Sequence, residues 1–357
     1  MIQYIFRKII YSIVVFLGVV TVIFFLFNIL PGDSSRMMMG QRSDLQSLKA
    51  IRVELGLDQS FSTRYFKYLD DLSPLSIYSK DVDSFFFFNS STYKNSKILL
   101  ETENSIVVLK KPYLQRSFQS KKEVSQILSE TFLNTFLLAL VSIVFASILG
   151  IILGVLSALY KNTFYDKFIL VLTSFGMSLP SFFAAILVAW FFAYKLGAYT
   201  HLNLTGNLYE LDDYGEQVTL QWKNLILPAL TLGIRPLSVV LQLARNSMLD
   251  VLSQEYIRTA EAKGLSWYKI ILKHALKNSL NPVITSISGW LASMMAGVVF
   301  VEFIFGWKGL GFVIVEAVNN YDIPVVMGVV LLISVIFVFI TLLVDLVYLL
   351  LDPRVKY

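Results

Sequence analysis

The stretch 131-TFLNTFLLALVSIVFASILGIILGVLSAL-159 decides the fold class. It is an unbroken apolar run, longer than the roughly 20 residues with which a helix crosses the hydrocarbon layer of a bilayer. In lipid the backbone must satisfy its own hydrogen bonds, so a run of this kind is a helix or part of a closed barrel. Continuity of the run, rather than strict alternation, selects the helix. Working outward, five more runs of the same character cover 9–30, 168–195, 224–248, 282–305 and 325–351. The chain therefore reads as an all-α integral membrane protein with about six transmembrane helices. Composition agrees, because 56% of the residues are hydrophobic and 15% charged, whereas a soluble domain carries about a quarter charged.

Arg7 and Lys8 ahead of the first run imitate a signal peptide, but the run exceeds the usual core of about 7 to 15 residues and no small-x-small site closes it. It reads as a retained first helix. The absence of cysteine excludes disulfides, thiolate catalysis and cysteine-ligated metals, and His201 and His274 are too few for a histidine-rich metal site. No catalytic or metal-binding set is assigned. The net charge of +5 is spread through loops beside apolar runs rather than gathered on one soluble face, which argues against nucleic acid.

Short loops set the orientation, since Lys and Arg are retained on the cytoplasmic side. Arg245, Arg258, Lys263, Lys269, Lys273 and Lys277 fall between the fourth and fifth runs, Arg354 and Lys356 in the tail, and Arg7 and Lys8 at the start. Segments 196–223 and 306–324 carry mostly acids, among them Glu210, Asp212, Asp213, Glu216, Glu316 and Asp322. Both termini are expected in the cytoplasm. The long segment 31–130 then lies outside, where its length exempts it from the charge rule. Within it, Leu45 to Leu55 before Gly56 suggests one helix, and Phe61, Tyr65, Phe66 and Leu69 a second. Ile98 to Leu100 and Ile106 to Leu109 around Glu101 to Ser105 suggest a hairpin. Phe85 to Phe88 must either pack inside a small external cap or dip into the bilayer surface.

Gly150 and Gly154, one helical turn apart, either form a close helix-packing face or reflect the ordinary tolerance of membrane helices for glycine. Pro180 and Pro236 should kink their helices and could give a translocation path a hinge. Arg235, beside Pro236, is costly facing lipid and points to a bundle interior, water or an interface, which makes it a candidate for that path beside the two prolines, against structural pairing or snorkelling. Asp345 carries the same ambiguity.

The most ordered loop is 250-DVLSQEYIRTAEAKGLSWYKIILKHALKNSLNPV-283. Ser253 is expected to cap a short helix that Gly264 ends, with Lys263 in its last turn. Ser266 is expected to cap a second helix with Ile270, Ile271 and Ala275 on one side, before Pro282 opens the fifth run. Such a helix suits either a partner's groove or an anionic lipid surface.

Here the sequence resembles the inner-membrane permease subunits of ABC importers for dipeptides and oligopeptides, the peptide branch of binding-protein-dependent transport. The general importer signature, E-A-A, three residues, then G, falls on Arg258, Thr259 and Ala260 followed by Gly264. Its first two positions depart from the broad pattern, while YIRTAEAKGLS is similar to the peptide branch. LPGD at Leu30 to Asp33, VEFIFGWKGLG from Val301 to Gly311 leading to YDIPVVMG, and the ending LDPRVKY match that branch as well. So do Leu55 to Leu69 and Gln115 to Leu128, which lie close together in the family and are separated here by an insertion at about 72–112.

The resemblance implies a type I ABC importer permease fold in a bacterial inner membrane. It divides the chain into a first helix over 1–30, an external region over 31–130, a five-helix core over 131–351 and a tail over 352–357. A cytoplasmic coupling loop, 249–281, would present Glu255, Tyr256, Arg258, Thr259, Ala260, Glu261, Ala262 and Gly264 to an ATPase subunit. Implied partners are a second homologous permease, two ATP-binding subunits and an external peptide-binding protein. ATP and magnesium belong to those ATPase subunits, because this chain has no G-x-x-x-x-G-K-[ST] loop and binds no cofactor of its own. Nickel or another small solute is an alternative cargo. An ion-coupled secondary carrier would need coupling-ion chemistry, commonly paired intramembrane carboxylates or broken helices at the midplane, and Asp345 reads as the one acid well inside a span. A membrane-embedded enzyme would need a partner for His274 or His201, and neither has an evident one.

Overall fold

The structure, a computed structural model, describes residues 2–29, 58–81, 84–90, 92–93, 96–212 and 216–351. The expectations for Leu30 to Asp33, for the helix of Leu45 to Leu55 and for the tail 352–357 lie outside these residues. The elements run α1 (Ile2–Ile29), α2 (Phe61–Leu72), β1 (Leu75–Ser79), β2 (Lys97–Glu101), β3 (Ser105–Leu109), α3 (Val124–Leu159), α4 (Phe164–Ser178), α5 (Ser181–Val188), β4 (Tyr209–Leu211), β5 (Val218–Leu220), α6 (Lys223–Leu252), α7 (Glu255–Ala262), α8 (Asn281–Gly297), α9 (Val299–Phe305), α10 (Leu310–Asn319) and α11 (Ile323–Leu351). A π-helical turn, Ala189–Lys195, continues α5. Among the described residues α1, α3, α6 and α11 are each long and apolar enough to cross a bilayer, and two bent helix pairs bring the total to six if each pair is one span. The chain is therefore a helical, multi-span membrane protein.

The run 168–195 is not one straight helix. It breaks between α4 and α5 with a bend of 114°. Pro180 offers no N–H to the preceding turn and clashes with a helical residue before it, so Leu179 is extended at φ −70°, ψ 127°. The run 282–305 likewise divides into α8 and α9, bent by 59°. Pro236, by contrast, lies buried inside α6, which continues through it and through Pro228.

Contacts divide the chain into two units, one of residues 1–14, 131–315 and 333–357, the other of 15–130 and 316–332. In the first, a core of Leu138, Ile143, Ala185, Leu227, Met295, Val301, Phe305 and Trp307 joins the helices. Lipid tails are as apolar as these side chains, so close packing rather than escape from water holds membrane helices together. The seam between α3 and α6 shows how. A Cβ on Gly150 would meet Val240 Cγ1 at 2.8 Å, and one on Gly154 would meet the Leu241 carbonyl oxygen at 2.5 Å. The glycine pair is thus a close-approach face. At the chain's two ends, Lys8 Nζ donates to Asp345 Oδ2 at 2.6 Å, pairing α1 with α11.

In the second unit α2 packs on the latter half of α1. Phe24 meets the rings of Phe61, Tyr65 and Tyr68 at 5.2, 5.2 and 5.3 Å, and Ser60 caps α2 by accepting from Thr63 N. The expected hairpin is present as antiparallel β2 and β3, and β1 adds to β3, giving the order β1-β3-β2. The two small sheets are the departure from an all-helical chain. Tyr78, Ile106 and Val108 are buried on one face, while Leu75, Ile77, Leu100 and Leu109 are exposed. Phe85 to Phe88 are all half-buried, and Phe88 stacks on Tyr93 at 6.1 Å. Lys110, almost fully buried, donates to the carbonyls of Asp70, Asp71 and Ser73, stitching the sheet to the end of α2.

Candidate functional site

The loop 249–281 is ordered by its own sequence. The long helix α6 ends at Leu252, and Ser253 Oγ donates to the Asp250 carbonyl at 2.7 Å. Ser253 therefore closes α6 rather than capping the next helix, where Gln254 stands at the N-cap without a side-chain bond. Glu255 opens α7 favourably for the helix dipole and pairs with Arg258 at 3.0 Å, an exposed contact of small energetic weight. The helix ends in a Schellman motif: Leu265 N donates to the Ala260 carbonyl and Gly264 N to that of Glu261. Gly264 has φ +73°, and nothing lies within 4 Å of where its Cβ would be. Glycine is required here for backbone conformation, not for space.

Helix α7 is two-sided. Ile257 and Ala260 are buried in a cluster with Ala158 of α3, Met248 of α6, and Ile270 and Ala275. Tyr256, Arg258, Thr259, Glu261, Ala262, Lys263 and Gly264 are exposed. The following helical run, Trp267–Lys269, π-helical Ile270–Ala275 and Leu276–Ser279, supplies the other wall of that cluster. Ile270, Ile271 and Ala275 share its inner side as the sequence suggested, although Ser266 makes no capping bond. Asn278 Nδ2 donates to the Tyr256 hydroxyl at 2.9 Å, fixing α7 to this run. The result is a short helix with an apolar base seated on the bundle and a polar, tyrosine-bearing face exposed.

The other candidate positions are dispersed. Pro180 sits at the α4–α5 break, while Arg235 and Pro236 are neighbours on α6, Arg235 exposed and Pro236 buried. Among the described residues Arg235 forms no ion pair.

Two carboxylates that sequence reading did not single out prove central to the first unit. Asp166, near the start of α4, accepts from Arg245 Nε at 2.7 Å and Nη2 at 2.8 Å, from Ser157 Oγ at 2.5 Å and from Asn162 N at 2.9 Å. Glu302, in α9, is a second acid inside a span, beside the one counted from sequence. Fully buried, it accepts from Thr135 Oγ1 at 2.7 Å and from the amides of Gly311 at 2.6 Å and Phe312 at 3.2 Å. Those amides open α10, so the carboxylate satisfies donors that a helix start leaves unpaired. Beside it Trp307, also fully buried, donates from Nε1 to the Asn134 carbonyl at 3.1 Å. This is the physical content of VEFIFGWKGLG: an acid, a tryptophan and small residues that fold the turn between α9 and α10 back on α3.

Known proteins bear on this arrangement directly. Residues 150–357 match the family described as binding-protein-dependent transport system inner membrane component, and residues 1–82 match the N-terminal model of the same systems. The chain is 31% identical over 370 residues to the dipeptide transport system permease protein DppB of Alkalihalophilus pseudofirmus, with all of both chains covered. It is 30% identical to the glutathione transport system permease protein GsiC of Pectobacterium atrosepticum and 29% identical to that of Salmonella typhimurium, again over the whole of both chains. The ordered loop, the multi-span bundle and these matches along the full chain have one common explanation: the protein belongs to the family of inner-membrane permease components of binding-protein-dependent transport systems.

Proposed function

We propose that this chain forms half of the translocation path of an ATP-driven peptide importer and that α7, with the turn at Gly264, is the element through which separate ATPase subunits drive it. The single observation that carries the reading is the two-sided seating of α7, with Ile257 and Ala260 buried in the bundle and the opposite face exposed. A helix seated in this way passes a displacement to α3 and α6 and still offers a surface to be gripped. The peptide class rests on the relatives, one named for dipeptides and one for glutathione, itself a tripeptide. In this reading a second homologous permease completes the path, two ATPase subunits bind ATP and magnesium, and an external binding protein delivers the substrate. Both termini and the α6–α8 loop face the cytoplasm, as their Lys and Arg content favours, and the sheet-bearing segment faces outward. Affinity purification of the tagged chain in mild detergent, with mass spectrometry of what accompanies it, tests the assembly. A second permease and two ATPases are expected. A lone homomer that moves solute on an ion gradient would sink the reading, and uptake of nickel rather than a labelled dipeptide by the recovered complex would replace the cargo.

A further inference from the structure

We infer that the Asp166–Arg245 pair is a positioning device that makes α4 travel with α7, a role that rests on the preceding reading of α7 as the driven element. Arg245 lies one turn before Met248, which is fully buried in the cluster beneath α7 beside Ile257 and Ala260. Ser157, which donates to Asp166, immediately precedes Ala158 of that same cluster. A push on α7 therefore reaches α3 and α6 at the residues that border the ion pair.

Apolar contact alone lets helices slide, because dispersion has no preferred direction. A guanidinium fork on a carboxylate does have one, because its two parallel hydrogen bonds are both well formed in only one relative orientation. Water is poorly placed to replace them, since the side chains of Arg245 and Asp166 are 13% and 2% exposed. Both carboxylate oxygens are engaged twice, which fastens the first turn of α4 to α6, to α3 and to the α3–α4 turn together. Rigid elements joined by such contacts carry displacement over distance. Further along, α4 stops at the 114° break before Pro180, so the body tied to α7 by this pair extends along α4 as far as that bend.

The chain has no cysteine, so Lys273→Cys, in the helical run that walls the same cluster as α7, and Ser174→Cys in α4, both exposed positions, can carry the only spin labels on it. Their separation would be read by double electron–electron resonance in the complex co-purified with its ATPase subunits, before and after trapping with ATP and vanadate. With the pair intact, one narrow distribution that does not shift on trapping is expected. With Asp166→Asn or Arg245→Lys added, trapping should shift or broaden it, and the exchange Asp166→Arg with Arg245→Asp should recover part of the narrow distribution. The inference is overturned by a nucleotide-dependent shift in the intact background, or by variants indistinguishable from it. Failure of every variant to assemble also overturns it, because the pair would then only hold the fold. Absence of ATPases from the preparation is a different failure: it removes the reading of α7, is visible before any label is measured, and takes this inference with it.

Discussion

Gly264 is the residue on which the end of α7 turns. Its φ of +73° lies where a side chain costs an ordinary residue about 1–2 kcal/mol. Gly264→Val should therefore unwind the last turn of α7 and abolish ATP-dependent uptake, while membrane abundance of the protein stays normal. Gly264→Asn, which tolerates that region, should retain part of the activity; equal loss in both would shift the explanation to a direct contact with the partner. In the sheet-bearing unit, burial pushes the hydroxyls of Tyr78 and Tyr93 well above the ordinary tyrosine range, and the charge of Asp71 adds to the effect at Tyr93. A folded-state pKa that is raised contributes stability in full below the unfolded value of about 10 and loses it as pH climbs through the folded one. This unit should hold its structure to about pH 10 and weaken above it, with tyrosinate absorbance appearing together with loss of near-ultraviolet dichroism. Tyr93→Phe should flatten that dependence, a comparison that cancels the opposite shift that burial imposes on Lys110.

At the scale of elements, the α3–α6 seam makes a sharp demand. With the Leu241 carbonyl oxygen 2.5 Å from a would-be Cβ, Gly154→Val must push the helices apart at a cost of about 1–3 kcal/mol. A lowered thermal midpoint of the detergent-solubilised protein would register it, whereas Gly18→Ala, inside α1 with nothing near, should not lower the midpoint. Elements were legible in sequence where their signal was local. Run length marked the spanning helices, Phe61 to Leu69 marked α2, and Gly264 marked the end of α7. Strand β1 escaped notice because five residues, LSIYS, carry too little alternation to stand apart from a loop. The position of Pro180 was plain, but the angle of the break was not, since it is set by what α5 packs against. Asp166 and Arg245 stand 79 residues apart, and no local pattern announces a partnership of that kind. Glu302 does carry a local signal, an acid inside an apolar run, but its partners Thr135 and the α10 amides are not visible in that run.

For the whole molecule, the pairing of first and last helices predicts an asymmetry. Lys8→Met leaves the Asp345 carboxylate without its 2.6 Å partner on α11. Removing one member of such a pair costs more than removing both, because the charge left behind has lost its compensation. Thermal unfolding of the purified protein should rank Lys8→Met below the double variant Lys8→Met with Asp345→Leu; the reverse order would show that Lys8 matters through its other contacts.

The same pair has a consequence in time. Its members are 337 positions apart, and a ribosome adding about 5–20 residues per second takes roughly 17–70 s to travel that distance. During that interval the newly inserted first helix must keep its ammonium at the headgroup level on a flexible stem. The ion pair forms only once Asp345 has left the ribosome, so a nascent chain stalled before it keeps the packing of α1 on α2 but lacks the bond that ties α1 to α11.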